Sequence, residues 1–114
     1  MAGLGSFAVD VEWRDEVAIV RARGELDVAT VETLRAELDG IADARRLVVD
    51  LRGVSFIDST GLHLLVRLHE RARSDGFELA LLAPAAPVDR AIRICGLHKQ
   101  LPFQATADEV DVTP

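Results

Sequence analysis

The stretch from Val48 to Arg73, VVDLRGVSFIDSTGLHLLVRLHERAR, limits the fold of this chain more than any other, because its hydrophobic period changes partway along. Leu47 to Leu51 is an apolar, β-branched run of the length and composition of a strand buried on both faces. Arg52 and Gly53 are expected to end it. From Leu62 the apolar residues recur at Leu62, Leu65, Val66, His69 and Ala72, with Leu64 and Leu68 widening the stripe, which is a helical period. Arg67, Glu70, Arg71 and Ser74 fall on the opposite, wet face. Between the two elements lies Asp58-Ser59-Thr60-Gly61, where an oxygen-bearing side chain can accept hydrogen bonds from the orphan amides of the first helical turn. Any of Asp58, Ser59 and Thr60 could be that cap. The hydroxyls of Ser59 and Thr60 thus stand at the C-terminal end of a strand and the N-terminal end of a helix, where open α/β sheets usually meet their ligands and partners.

The flanking segments extend the alternation. Phe7, Val9, Val11 and Trp13 alternate with Ala8, Asp10 and Glu12 in the period of a half-buried strand. Arg14-Asp15-Glu16 is a polar turn, and Val17 to Arg23 a second strand, so the pair reads as an antiparallel hairpin. Gly24-Glu25-Leu26-Asp27 then leads into a helix with Val28, Val31, Leu34, Leu38 and Ile41 on one stripe and Asp27 as its N-cap. Ser74-Asp75-Gly76 closes the helix after the central strand. Phe77 to Ala83 is another apolar strand, and Pro84 to Pro87 a stiff loop. A third helix follows, with Val88, Ala91, Ile92 and Cys95 facing inward, and Gly96 ends it. Phe103-Gln104-Ala105 is a short edge strand, and Thr106 to Glu109 has the form of a capping box.

Strands alternating with single helices require right-handed crossovers and a parallel sheet. The expectation is an α/β domain: a mixed, mostly parallel sheet of about five strands with three main helices. In such a sheet the loops after the second, third and fourth strands emerge on one edge, bringing Asp27, Ser59 and Pro84 to Pro87 to a common surface.

Composition decides which functions remain. With 114 residues and 49% hydrophobic content, the chain holds one domain, with a core over about 7–105, a short lead at 1–6 and an acidic tail at 106–114. A net charge of −6 argues against nucleic acid or an anionic membrane as partner, since both select a basic face. No apolar run reaches membrane-spanning length and the start lacks the features of a signal peptide, so a cytoplasmic location is expected. The lone Cys95 excludes an internal disulfide and reads as a small buried hydrophobe. His63 and His69 lie on different helix faces and do not form an i, i+4 metal clasp, and no glycine-rich phosphate loop is present. His69 reads as a packed helix residue, His63 and His98 as solvated ones. Asp58-Ser59-Thr60-Gly61 has one residue too many for an aspartic-protease loop, and Gly53 to Ile57 lacks the second glycine of a hydrolase elbow. Neither an enzyme nor a cofactor or metal site is expected.

Three motifs in order, Gly24-Glu25-Leu26-Asp27 before a helix, Val49-Asp50-Leu51 as a strand, and Phe56-Ile57-Asp58-Ser59-Thr60-Gly61-Leu62 opening the next helix, make the chain similar to the STAS domains of the bacterial anti-sigma-factor antagonist family. The resemblance covers roughly residues 7–105. It implies that Ser59 is phosphorylated by a partner that is both an ATP-dependent serine kinase and an anti-sigma factor. The unphosphorylated protein would bind that partner and free a sigma factor, phosphorylation would end the binding, and a serine phosphatase would restore it. Thr60 stands where the family often has a second serine, and the C-terminus is shorter than is usual. Asp58, Thr60 and Gly61 then form the switch loop, and Gly24, Glu25, Asp27, His63 and Arg67 the partner surface. A phosphate on Ser59 is expected to meet free amides at the helix start. The alternative is the same fold as an unphosphorylated structural subunit, like the STAS-like components of lipid transporters.

Overall fold

Alternating strands and helices form in the expected order. In the computed structural model, which describes residues 7–104, these are β1 (Ala8–Arg14), β2 (Val17–Leu26), α1 (Val31–Asp39), β3 (Arg46–Ile57), α2 (Ser59–Asp75), β4 (Glu78–Leu82), α3 (Ala86–Ile94) and β5 (Phe103–Gln104), with a 3-10 turn at Leu97–Lys99. The sheet order is β1-β2-β3-β4-β5. β1 and β2 form an antiparallel hairpin whose two-residue turn places Asp15 at positive φ, and every other pairing is parallel. The lead, Ala105 and the capping box at Thr106 to Glu109 lie outside the described residues.

The double burial of the central strand follows from its alternation. Leu47, Val49, Leu51 and Val54 of β3 join Ala18, Val20 and Ala22 of β2 and Leu81 of β4 in a core with Val31, Leu34 and Leu38 of α1 and Leu64, Leu65 and Leu68 of α2. Val48 points the other way, with Ile19, Ala80 and Leu82, and α3 lies against β3. Burying an aliphatic side chain of this size stabilises the fold by about 1.5 to 3 kcal/mol.

β3 is longer than its apolar run. Arg52 and Gly53 do not end it: the strand bulges there, with one extra residue between the pairs Arg21↔Asp50 and Arg23↔Gly53, and again before Phe56. β2 likewise runs on through Gly24 to Leu26. A bulge leaves a ladder amide without its partner, and Asp50 supplies one. Only 7% exposed, its carboxylate accepts the backbone amide of Arg52 at 3.0 Å and both ends of the Arg52 guanidinium at 2.9 and 2.8 Å. Burial pushes the Asp50 pKa up, but those bonds and the nearby Arg21 outweigh it and hold it below the ordinary carboxylate value.

β4 pairs with β3 only as far as Leu82↔Asp50, whereas β2 and β3 stay paired to Leu26↔Ile57. The tip of the β2–β3 ribbon therefore overshoots the end of β4 by about 20 Å at the rise of an extended strand. The expectation that Pro84 to Pro87 shares a surface with Asp27 and Ser59 fails on this geometry.

Four readings along the helices and the 3-10 turn also change. The α2 stripe centres on Leu64, Leu65, Leu68 and Ala72. Arg71, placed on the wet face, instead donates to the carbonyls of Leu38 and Ile41 at 3.0 Å each and stacks over Phe77, so it closes the C-terminal end of α1, which has no basic residue of its own in its last turn. On α3 only Val88 and Ile92 are buried, and Ala91 and Cys95 are exposed. His98 is half-buried with its Nδ1 enclosed, not solvated.

Candidate functional site

Because β2 and β3 are parallel and end in register, the turns that leave them are neighbours. The first does not start a helix at once. Asp27 Oδ1 accepts the amides of Ala29 and Thr30 at 3.0 and 3.2 Å, and the Thr30 hydroxyl accepts the Asp27 amide at 3.0 Å while donating to the Glu25 carbonyl at 2.6 Å. That is the reciprocal arrangement of a capping box, formed across a turn. The helix itself begins at Val31, and its N-cap residue, Thr30, makes no side-chain cap bond. Asp27 therefore caps the turn that feeds α1, not α1 itself. Val28, expected on the buried stripe, lies in that turn and is 72% exposed.

The second junction resolves the choice among three caps in favour of Asp58. Its backbone is extended, and Oδ1 accepts the Thr60 and Gly61 amides at 3.0 and 3.1 Å as well as the Thr60 hydroxyl. Oδ2 reaches across to the other turn and accepts the amide of Val28 at 3.2 Å, and the Asp58 amide donates to the carbonyl of Leu26 at 3.1 Å. The Thr60 hydroxyl above all, with the amides of Gly61, Val28 and Thr60, holds the Asp58 pKa below the ordinary carboxylate value against the opposing effect of desolvation. One carboxylate thus caps α2 and fastens the two turns together.

Gly61 sets how closely α2 sits on the ribbon. A Cβ there would lie 2.8 Å from Ile57 Cγ1, 2.9 Å from Leu26 Cγ and 3.1 Å from the Leu26 carbonyl, well inside contact distance. Gly24 has a different task. It is paired with Val54 inside β2, at φ +107°, and a Cβ would come within 3.0 Å of the Phe7 backbone.

Ser59, the first residue of α2, is exposed, and no hydrogen bond to its hydroxyl occurs among the described residues. Thr60 is half-buried with its hydroxyl committed to Asp58. Of the amides expected to receive a phosphate, those of Thr60 and Gly61 are already taken by Asp58, and that of Ser59 itself has no acceptor among the described residues. Glu25, His63 and Arg67 are exposed, and Arg67 makes no ion pair among the described residues. Arg67 lines a shallow groove between α1 and α2, with Arg35 opposite and Leu38, Leu64 and Leu68 as its floor.

Two residues that the sequence did not single out for this surface belong to the same rim. Val28 is one. Phe56, 48% exposed, pairs with Glu25 one step before the ribbon ends. The Asp27-x-x-Thr30 spacing is the signal that could have moved Val28 from stripe to turn. Among the described residues no group of three or more His, Cys, Asp or Glu side chains could hold a metal, and no helix is long and apolar enough to cross a membrane.

The STAS domain model matches residues 8–110. An anti-sigma F factor antagonist of Paenibacillus polymyxa is 31% identical over 98 residues, covering 83% of this chain and 84% of the relative. An anti-sigma-F factor antagonist of Mycobacterium tuberculosis is 30% identical over 102 residues, covering 86% and 80%. Among solved structures, an anti-sigma factor antagonist from Mycobacterium paratuberculosis superposes with a TM-score of 0.79 at 32% identity, covering 91% of this chain and 90% of that one.

Proposed function

The chain belongs to the STAS domain family, and from that premise we propose that it is an anti-sigma-factor antagonist switched by phosphorylation at Ser59. Unphosphorylated, it binds a serine kinase that is also an anti-sigma factor, and so frees a sigma factor; a serine phosphatase resets it. The relatives of similar length named as anti-sigma factor antagonists support the class of function. The observation that carries the switch is the contrast between two adjacent hydroxyls. Ser59 is exposed and unbonded, whereas Thr60 is tied to Asp58, so Ser59 is the acceptor open to a kinase.

The same rim supplies a docking surface. Exposed Val28 and Phe56 give apolar contact beside Ser59, and Glu25, Asp27, His63 and Arg67 give a polar border, the usual anatomy of an interface. A near-dianion brought into such a contact without a matched cation loses its water, at a cost of about 3 kcal/mol or more. That corresponds to roughly a hundredfold in affinity.

The test is to incubate the protein with the serine kinases of its host and ATP, map the phosphate, and compare binding of Ser59→Ala and Ser59→Asp. Phosphate on Ser59, retained binding by Ser59→Ala and roughly hundredfold weaker binding by Ser59→Asp are expected. Phosphate on Thr60, or equal binding by wild type and Ser59→Asp, would overturn the assignment. Recovery of an ATP-binding transporter subunit in place of a kinase would favour a structural role.

A further inference from the structure

We propose that His63 is the counter-ion of the phosphorylated switch, folding the Ser59 phosphate down onto the surface of α2 and making its charge depend on pH near neutrality; this rests on the reading of Ser59 as the phosphorylated residue. At a helix N-terminus an anion is ordinarily held by the unpaired amides of the first turn. Here Asp58 Oδ1 occupies the amides of Thr60 and Gly61, and the Leu62 amide donates to the Asp58 carbonyl at 3.0 Å. Only the amide of Ser59 itself is left without an acceptor among the described residues, so the phosphate needs a cationic side chain to offset the repulsion of the Asp58 carboxylate beside it.

Ser59 and His63 are one helical turn apart on α2, and both are exposed. Side chains at i and i+4 lie about 5 to 6 Å apart at Cβ, within reach of a phosphate on one and an imidazolium on the other. Arg67 stands a further turn along, beside the α1–α2 groove and Arg35. The charged groups of this region are Asp58 and Arg67 on the segment of His63, Glu25 and Asp27 at the end of β2 and the turn that Asp58 fastens, and Arg35 on α1 across the groove from Arg67. Of the cationic side chains, His63 is the one placed a single turn from Ser59. An imidazolium and a phosphate dianion are opposite charges one turn apart, so the pair forms cooperatively: each charge favours the other. Neutralised in this way, the phosphate carries less net charge to the docking rim in acid than in alkali.

The experiment installs phosphoserine at position 59 during translation, so that no kinase is needed, and follows the ring proton of His63 and the phosphorus resonance by NMR against pH. Phosphorylation should raise the His63 midpoint by about half a pH unit and leave those of His69 and His98 in place. In His63→Gln the phosphate should keep its second proton to a pH higher by a similar amount, and His63→Arg should reverse that change. An unmoved His63 midpoint overturns the proposal. So does a phosphate midpoint that responds to Arg67→Gln but not to His63→Gln, which would make Arg67 the counter-ion. If host kinases leave Ser59 unmodified, the proposed function falls while the pairing is still judged on the installed phosphate.

Discussion

The Asp58 carboxylate holds the backbone of Val28, a residue thirty positions earlier in the chain, by a 3.2 Å hydrogen bond to its amide. The other oxygen of the same group caps α2. Replacing Asp58 by alanine therefore removes two kinds of support at once, and should lower the melting temperature by several degrees. Asp58→Asn keeps one carbonyl oxygen for the cap but presents an amide group to the Val28 N–H, which it cannot accept. Hydrogen exchange at Val28 should accelerate in Asp58→Asn while α2 amides stay protected. Equal acceleration in both would show that the two turns are not separable.

The same bond carries a pH dependence whose sign is fixed. A carboxyl whose folded pKa is depressed stabilises the fold fully above its unfolded value, and that contribution is lost as the pH falls through the folded value. The Asp58 pKa is lowered, chiefly by the Thr60 hydroxyl. Acidification below the ordinary carboxylate range should loosen the Val28 turn, seen as a step in the Val28 amide shift. Asp58→Asn should show no such step.

Asp27→Ala should cost about 0.5 to 2 kcal/mol, the range for losing a capping side chain. The loss falls on the turn before α1, where the Asp27 carboxylate takes the Ala29 and Thr30 amides. Urea denaturation measures it directly. An unchanged midpoint would mean that solvent replaces those bonds at no cost.

Gly61→Ala adds a methyl group where Ile57, Leu26 and the Leu26 carbonyl leave no room. Overpacking of this kind costs about 1 to 3 kcal/mol. The consequence should reach the junction of the two turns, because α2 can relieve the contact only by moving off the ribbon and stretching the Asp58 bonds. A lowered melting temperature together with faster exchange at Val28 is expected.

Val28→Ser should leave stability within about 0.5 kcal/mol of wild type, as exposed substitutions usually do, and weaken binding of the proposed kinase partner. Calorimetric titration against that partner decides it. Full affinity in Val28→Ser would move the apolar contact elsewhere on the rim.

Most of the architecture was legible because it rests on period. The doubly buried run of β3 and the helical recurrence along α2 follow from which side chains must leave water, whereas in the β1 alternation only Phe7 and Val9 pack on the core and Val11 and Trp13, expected on the same face, stay exposed. What the period could not carry were features of pairing. The length of β3 depends on bulges that Asp50 makes tolerable, and a charged side chain inside an apolar run gives no hint that it is serving a neighbour's amide. Nor does the sequence state that β4 stops short, which is why Pro84 to Pro87 looked like part of the rim. At the site, Asp58, Ser59, Thr60 and Gly61 were recognisable as a helix start, but dividing the labour between the two hydroxyls needed the position of one carboxylate. Val28 was lost to the core stripe because its spacing fits α1, whereas the capping box holds it three residues outside the helix.

The shortness of β4 makes one strand into two environments. From Arg46 to Asp50, β3 has a neighbour on either side; across residues 51–57 it has only β2, and among the described residues no backbone bond on the β4 side replaces the missing ladder. Solvent should read that difference as a gradient along a single stretch of chain, with slow isotope exchange in the first half and progressively faster exchange toward Ile57. The more exchangeable half of β3 would then lie beside Ser59, the proposed phosphorylation site, and a partner that clamps the tip of the ribbon would make itself visible as a slowing of exchange there, well before any change of shape.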